Sequence, residues 1–177
     1  MWKCRASYGA RCCSLHDSFI TAAAFENKVL YMRFEGGIIL LPGTWVNPSK
    51  NRSYRSDAAL VAATTDDRRV SIPQDAIDVL IHGENRIFGK TVGHYQKEIS
   101  IDALTADIRK NPGKYQITDV YSSEDGGKMF FRGVIHAAGK KVPFCKLDCE
   151  FEMTIQMKSG APMRYFWNEL KDRKSVV

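Results

Sequence analysis

The chain has 177 residues, a net charge of +6, and no apolar stretch near the roughly 18 residues that a membrane-spanning helix needs. Its 44% hydrophobic and 26% charged residues suit a globular protein with one substantial core, so long disordered tracts and a second full domain are not expected. One domain over residues 1–177 is the economical expectation. Eight Lys/Arg against three Asp/Glu fall in residues 1–55, which concentrates the basicity in the first third. Lys and Arg gathered in this way attract polyanions, whereas the plainer alternative is a solvated basic surface.

The first residues, Met1-Trp2-Lys3-Cys4-Arg5, are basic but lack the run of about 7–15 apolar residues that a secretory signal would need, since Arg11, Cys12, Cys13 and His16 follow. An odd count of five cysteines points the same way, toward reduced thiols and a cytoplasmic location.

Along the chain, residues 18–25 and 29–35 read as two strands joined through Glu26-Asn27-Lys28, with Asn27 suited to a left-handed turn position. Gly36-Gly37 makes a further turn, from which residues 38–41 are expected to return. A polar stretch follows from Pro42 to about Asp57. Residues 58–63 suggest a short helix, and Pro73 a second one through Leu80, with Ile72, Ala76, Val79 and Leu80 inward and Gly83 ending it. A third helix is expected over residues 101–110. Ser100 stands as its N-cap, Ile101, Leu104 and Ile108 share a face, and Asn111-Pro112-Gly113 stops it. Asp102 in its first turn and Arg109 and Lys110 in its last match the helix dipole.

Residues 115–121, 128–136, 144–157 and 163–168 then read as a four-stranded antiparallel meander. The clearest signal is in 144–157, where Cys145, Leu147, Cys149, Phe151, Met153, Ile155 and Met157 occupy one parity. Phe144, Lys146, Asp148, Glu150, Glu152, Thr154 and Gln156 occupy the other, nearly all polar. Alternation of this kind describes a strand with one face on a core and one in water. The expected fold is therefore α+β and mostly β. It has antiparallel sheets, sandwich-like or strongly curved, and two or three short helices in the middle of the chain.

Chemical motifs are sparse. Cys4, Cys12, Cys13 and His16 have the donor types of a zinc site, but Cys-x7-Cys-Cys-x2-His lacks the Cys-x2-Cys knuckle, so free thiols are the better reading. Cys145 and Cys149 fall on the apolar parity and read as small core residues. His16-Asp17 can orient an imidazole or simply form a turn. Asp148, Glu150 and Glu152 line a polar strand face that suits a hard cation, a basic partner or plain water. No nucleophile elbow or phosphate loop occurs, so no catalytic residue, metal or cofactor is expected.

The segment 45–55 carries the residues best suited to contact. Trp45, Lys50, Arg52, Tyr54 and Arg55 combine aromatic faces with cationic groups, a mixture enriched where proteins bind one another and also suited to stacking on nucleotides. The competing possibility is that Trp45 folds back as a lid on the core.

The run Leu15-His16-Asp17-Ser18-Phe19-Ile20, with Phe25-Glu26-Asn27-Lys28-Val29-Leu30 and Phe34-Glu35-Gly36-Gly37, resembles the opening hairpin of small β-rich bacterial proteins, some of which are immunity proteins of toxin systems. Later, Lys114-Tyr115, Phe130-Phe131-Arg132-Gly133 and Trp167-Asn168-Glu169 are similar in kind. The likeness covers about a third of the chain through generic hairpin patterns and assigns no functional residue. The basic charge departs from the acidic character of many immunity proteins that block nucleases. The lack of catalytic motifs and the aromatic-basic loop point to a non-catalytic bacterial binding protein that covers a protein partner, immunity-like or encoded on a mobile element. The alternative is nucleic-acid binding through the basic first third. A third option is an enzyme or small-ligand pocket closed between the two β-rich ends, which a deep polar cavity near His16 or His136 would favour and a filled core would exclude.

Overall fold

In the strand Cys149–Gln156 the alternation read from the sequence becomes burial: Phe151, Met153 and Ile155 are fully buried, while Glu150 and Gln156 face water. The computed structural model describes residues 4–7, 13–55, 58–63, 76–87, 90–124, 127–136, 149–156, 163–167 and 175–176. The remainder of the predicted strand, 144–148 and 157, lies outside the described residues, as do Cys12, Cys145 and Asp148.

The elements run in the order β1 (Cys4–Ser7), β2 (Cys13–Ser14), β3 (Phe19–Glu26), β4 (Val29–Glu35), β5 (Ile39–Leu40), β6 (Ser53–Arg55) and β7 (Ala58–Ala63). They continue with β8 (Ile77–Ile87), β9 (Lys90–Ile99), α1 (Ile101–Lys110), β10 (Tyr115–Ser122), β11 (Lys128–Ile135), β12 (Cys149–Gln156), β13 (Met163–Trp167) and β14 (Ser175–Val176). Ten strands form one sheet in the order β1-β13-β7-β4-β3-β10-β11-β12-β8-β9, and every neighbouring pair is antiparallel. A smaller sheet, β14-β6-β5-β2, adds Leu40 to the same hydrophobic core.

The hairpin β3–β4 forms as its sequence predicts. Asn27 and Lys28 both have positive φ, at 50° and 60°, the geometry whose twist matches a two-residue hairpin. Helix α1 also forms over the predicted residues, with the Ser100 hydroxyl accepting from the Ala103 amide at 3.2 Å. Ile101, Leu104, Thr105 and Ile108 are its buried face. The helix packs against both β3 and β8, which stand four positions apart in the sheet. At about 4.8 Å per strand that separation is about 19 Å, close to the roughly 15 Å length of ten helical residues. The helix thus runs across the strands and ties the two halves of the sheet together.

The two halves meet at a narrow seam. Only Tyr115↔Ile20 and Gln116↔Phe19 pair between β3 and β10. Backbone bonds extend it: Asp17 N–H donates to Ile117 O at 2.9 Å, Ile117 N–H to Ser18 O at 2.8 Å, and Gly113 N–H to Ile20 O at 2.9 Å. Buried Ser18 donates its hydroxyl to Gly37 O at 2.6 Å, fixing where the chain leaves the large sheet for the small one.

Five expectations need correction. Among the described residues α1 is the only α-helix, so two or three helices are not found. Residues 58–63, alanine-rich and therefore helix-favouring, form strand β7 because β4 and β13 pair with it on both sides. Of the helix predicted from Pro73 to Leu80, residues 77–80 are instead the start of β8, and 72–75 lie outside the described residues. Ile77 and Val79 are buried and Asp78 is exposed, a period of two that outward Leu80 had disguised. The meander holds for β10, β11 and β12, but β13 does not return beside β12. That edge of β12 is taken by β8, and β13 pairs with β7 and β1. Similarly, Ile39–Leu40 returns not along β4 but between β2 and β6.

Gly133 on β11 shows how tightly the sheet is built. A Cβ there would clash with the Gln116 carbonyl oxygen and with the Phe151 ring. The ring lies on its cross-strand glycine, opposite the bulge that β10 makes between Ile117 and Asp119. Gly133→Ala is expected to destabilise the fold by about 3 kcal/mol or more, since backbone cannot give way as a side-chain tip can, and urea unfolding measures it.

Candidate functional site

The loop between β5 and β6 is short of regular structure but not of hydrogen bonds. Thr44 and Asn47 exchange backbone bonds at 3.1 Å in both directions, and Gly43 N–H donates to Ser49 O at 2.7 Å. The Thr44 hydroxyl donates to Leu41 O at 2.8 Å. Asn47 is buried at the centre. Its amide donates to Leu40 O at 3.0 Å and Arg52 O at 2.7 Å, and its carbonyl oxygen accepts from Ser49 N–H at 3.2 Å. A buried side chain with its polar atoms satisfied in this way sets the course of the whole loop.

Trp45 sits within that Thr44–Asn47 turn and is 69% exposed, so it is not a lid on the core. Lys50 and Arg52 are also exposed. Tyr54 and Arg55 are not part of the same surface. Both are half-buried in β6, opposite Leu40 and Ile39, and Arg55 Nη2 donates to His16 O at 3.2 Å. Of the five residues picked by composition, three form an exposed group and two hold the small sheet in place.

The other chemistry-bearing residues lie on different elements. Cys4 lies on β1 in the large sheet and Cys13 on β2 in the small one. His16 Nδ1 is 3.0 Å from Asp17 Oδ2, and Asp17 occupies a turn position at φ 62°. No group of three or more His, Cys, Asp or Glu with a metal-holding arrangement occurs among the described residues. Glu152, on the polar face of β12, accepts from Arg132 at 2.8 Å and lies 3.8 Å from His82 Nε2.

A chain of polar contacts links two histidines singled out in the sequence. Asp17 Oδ1 accepts from Gln116 Nε2 at 3.3 Å, and Gln116 Oε1 is 2.8 Å from His136 Nε2. Together with the His16–Asp17 pair, this spans the seam from the turn before β3 to the end of β11. Its evident physical effect is to fasten that seam.

Beside His136 an open cleft of about 410 Å³ lies between α1 and the sheet. Ile81, Ile99, Ala103 and Ile135 form its apolar wall, and Tyr95, Lys114 and His136 contribute polar groups. No sequence pattern marks it, because its lining comes from five strands and a helix.

Tyr95 lies against the backbone of Gly83, its cross-strand partner, where a Cβ would be 2.5 Å from the ring. Its hydroxyl is 3.4 Å from Cys149 Sγ, and that contact is the main reason its phenol titrates above the ordinary range. Cys149 is half-buried at the edge of the core, close to the small-hydrophobe role read from its parity.

Asp107 closes one end of the cleft. It accepts from Lys114 Nζ at 2.8 Å, Tyr115 Oη at 2.5 Å and Asn111 Nδ2 at 2.8 Å. Burial alone would raise its pKa, but these three donors and the Lys114 charge together hold it below the usual carboxylate range. Tyr115 is pushed well above the ordinary phenol range, first by burial and then by its bond to Asp107.

Two expectations follow. Asn47→Ala strips three hydrogen bonds from a buried site and should cost about 2–3 kcal/mol, with loss of hydrogen-exchange protection at the Gly43, Thr44 and Asn47 amides. For Asp107, the folded pKa lies below the unfolded value of about 3.9. Its stabilisation is therefore complete above that value and disappears as pH falls through the folded one. Asp107→Asn should lower the urea midpoint at neutral pH and flatten its decline through the acid range, whereas an unchanged acid slope would contradict this account.

In comparisons with known proteins, no family model, curated protein or solved structure matches this chain.

Proposed function

We propose that this protein is a non-catalytic binding protein that covers a surface of a protein partner, in the manner of an immunity-type inhibitor, using the loop of Trp45, Lys50 and Arg52. The observation that carries this reading is Trp45 itself, 69% exposed on a turn fastened by buried Asn47. An exposed indole on a mobile tail would be ordered only at binding, at an entropic cost. On a pre-formed turn that cost is already met by folding, so more of the burial energy is left for association. Trp and Arg are also the residue types most enriched among energetic hot spots.

At this loop protein is favoured over nucleic acid because the loop's exposed cationic group is small. Lys50 and Arg52 are exposed, while Arg55 is turned toward the His16 carbonyl. Two cations give little of the multi-phosphate contact on which affinity for a polyanion rests.

The test is capture of a partner from lysate of the source cells by the wild-type protein and by Trp45→Ala combined with Arg52→Ala. Both side chains are exposed, so the double variant should keep its stability to within about 0.5 kcal/mol. It should nonetheless lose partner affinity by at least about tenfold, since Trp and Arg anchors commonly contribute about 2 kcal/mol or more. Equal recovery by both proteins would remove this loop from the interface. Retention of labelled DNA or RNA that falls steeply with salt would favour nucleic-acid binding instead.

A further inference from the structure

The cleft between α1 and the sheet lies apart from the Trp45 loop and has the makings of a second binding site. Its volume of about 410 Å³ falls in the range of small-molecule sites, roughly 300–1,000 Å³. Its composition matches them too, an apolar wall with a few polar groups at one side. Ile81 and Ile99 are only half-buried although they pack on the core, so the wall keeps apolar surface in water that a ligand can cover.

Among the described residues, Lys114 and Asp107 of the lining balance each other, and the excess positive charge comes from Lys97 beside it. Asp107 is the acidic group among the described residues lining the cleft, and it already accepts from Lys114, Tyr115 and Asn111. Lys114 gives one N–H to Asp107, and an ammonium group carries three. Lys97 lies between Tyr95 and Ile99 on β9 and, by strand alternation, on the same face as both. Its cross-strand partner is Ile81 of the apolar wall. The cleft is therefore apolar in the middle, cationic at its margin, and has its carboxylate engaged within the protein.

We propose that the cleft binds a small amphipathic carboxylic acid. The aliphatic or aromatic body lies against Ile81, Ile99, Ala103 and Ile135, and the carboxylate is held by the Lys114 ammonium with support from the Lys97 charge. A neutral alcohol of the same length covers the same wall but gains no charge-assisted hydrogen bond, so it binds more weakly.

Octanoate and 1-octanol are suitable probes, titrated separately into isotopically labelled full-length protein and followed by amide chemical shifts. Octanoate should move the Ile81, Ile99, Ala103 and Ile135 amides saturably, with 1-octanol weaker by about tenfold or more. Lys114→Gln should bring the two ligands to similar affinity. Ala103→Trp, at an exposed helix position facing the cleft, should fill it and abolish both. The wild-type shift map requires no variant, so it decides the matter even if Ala103→Trp fails to fold. Absence of shifts at those amides up to about 1 mM octanoate, shifts confined to another region, or equal binding of octanol and octanoate to the wild type would each overturn the proposal.

Discussion

Tyr115 is the side chain on which the large sheet depends. It is fully buried at the narrow seam, paired with Ile20 across it, with its ring edge-on to Phe151 at 5.3 Å. Its hydroxyl reaches the helix through Asp107. A ten-stranded sheet joined at its middle by two residue pairs would otherwise open there. The fold prevents this by laying α1 across the seam and bonding the helix to β10. Asp107 correspondingly accepts from three side-chain donors, which stabilise its charge.

The same arrangement creates the cleft. A helix set across strands contacts the sheet closely where Leu104 and Ile108 are buried and stands off where Ala103 is exposed. Tyr95 can lie flat beside this gap because Gly83 leaves room beneath its ring. The recognition loop has a different origin. It belongs to the small sheet, where Arg55 is occupied with the turn before β3 and Asn47 fixes the loop that holds Trp45 in solvent.

Helix against strand was legible where one periodicity was clean. The dipole-matched, capped segment 101–110 and the alternating 149–156 both appeared as read. The β8–β9 hairpin was not legible, because β9 is an edge strand exposed on nearly every residue and carries no apolar rhythm. Gly83, read as the stop of a helix, is inside β8 and makes space for Tyr95. Of the contact residues chosen by composition, Trp45, Lys50 and Arg52 share an exposed loop. Tyr54 and Arg55 differ only in being paired in β6, which no composition reveals.

By itself the sequence determined that this is a mostly β protein, that α1 is a helix, that β3–β4 is a hairpin, and which face of β12 is buried. These are local properties, set by side-chain period, caps and turn residues within a few positions. Only the tertiary structure decided that 58–63 is a strand, that β13 joins the far half of the sheet, and that Trp45 stays exposed while Arg55 does not. It alone assembled the cleft beside His136. Those outcomes depend on which edges find each other across the chain, and hydrogen bonds between distant strands leave no period in the sequence of either one.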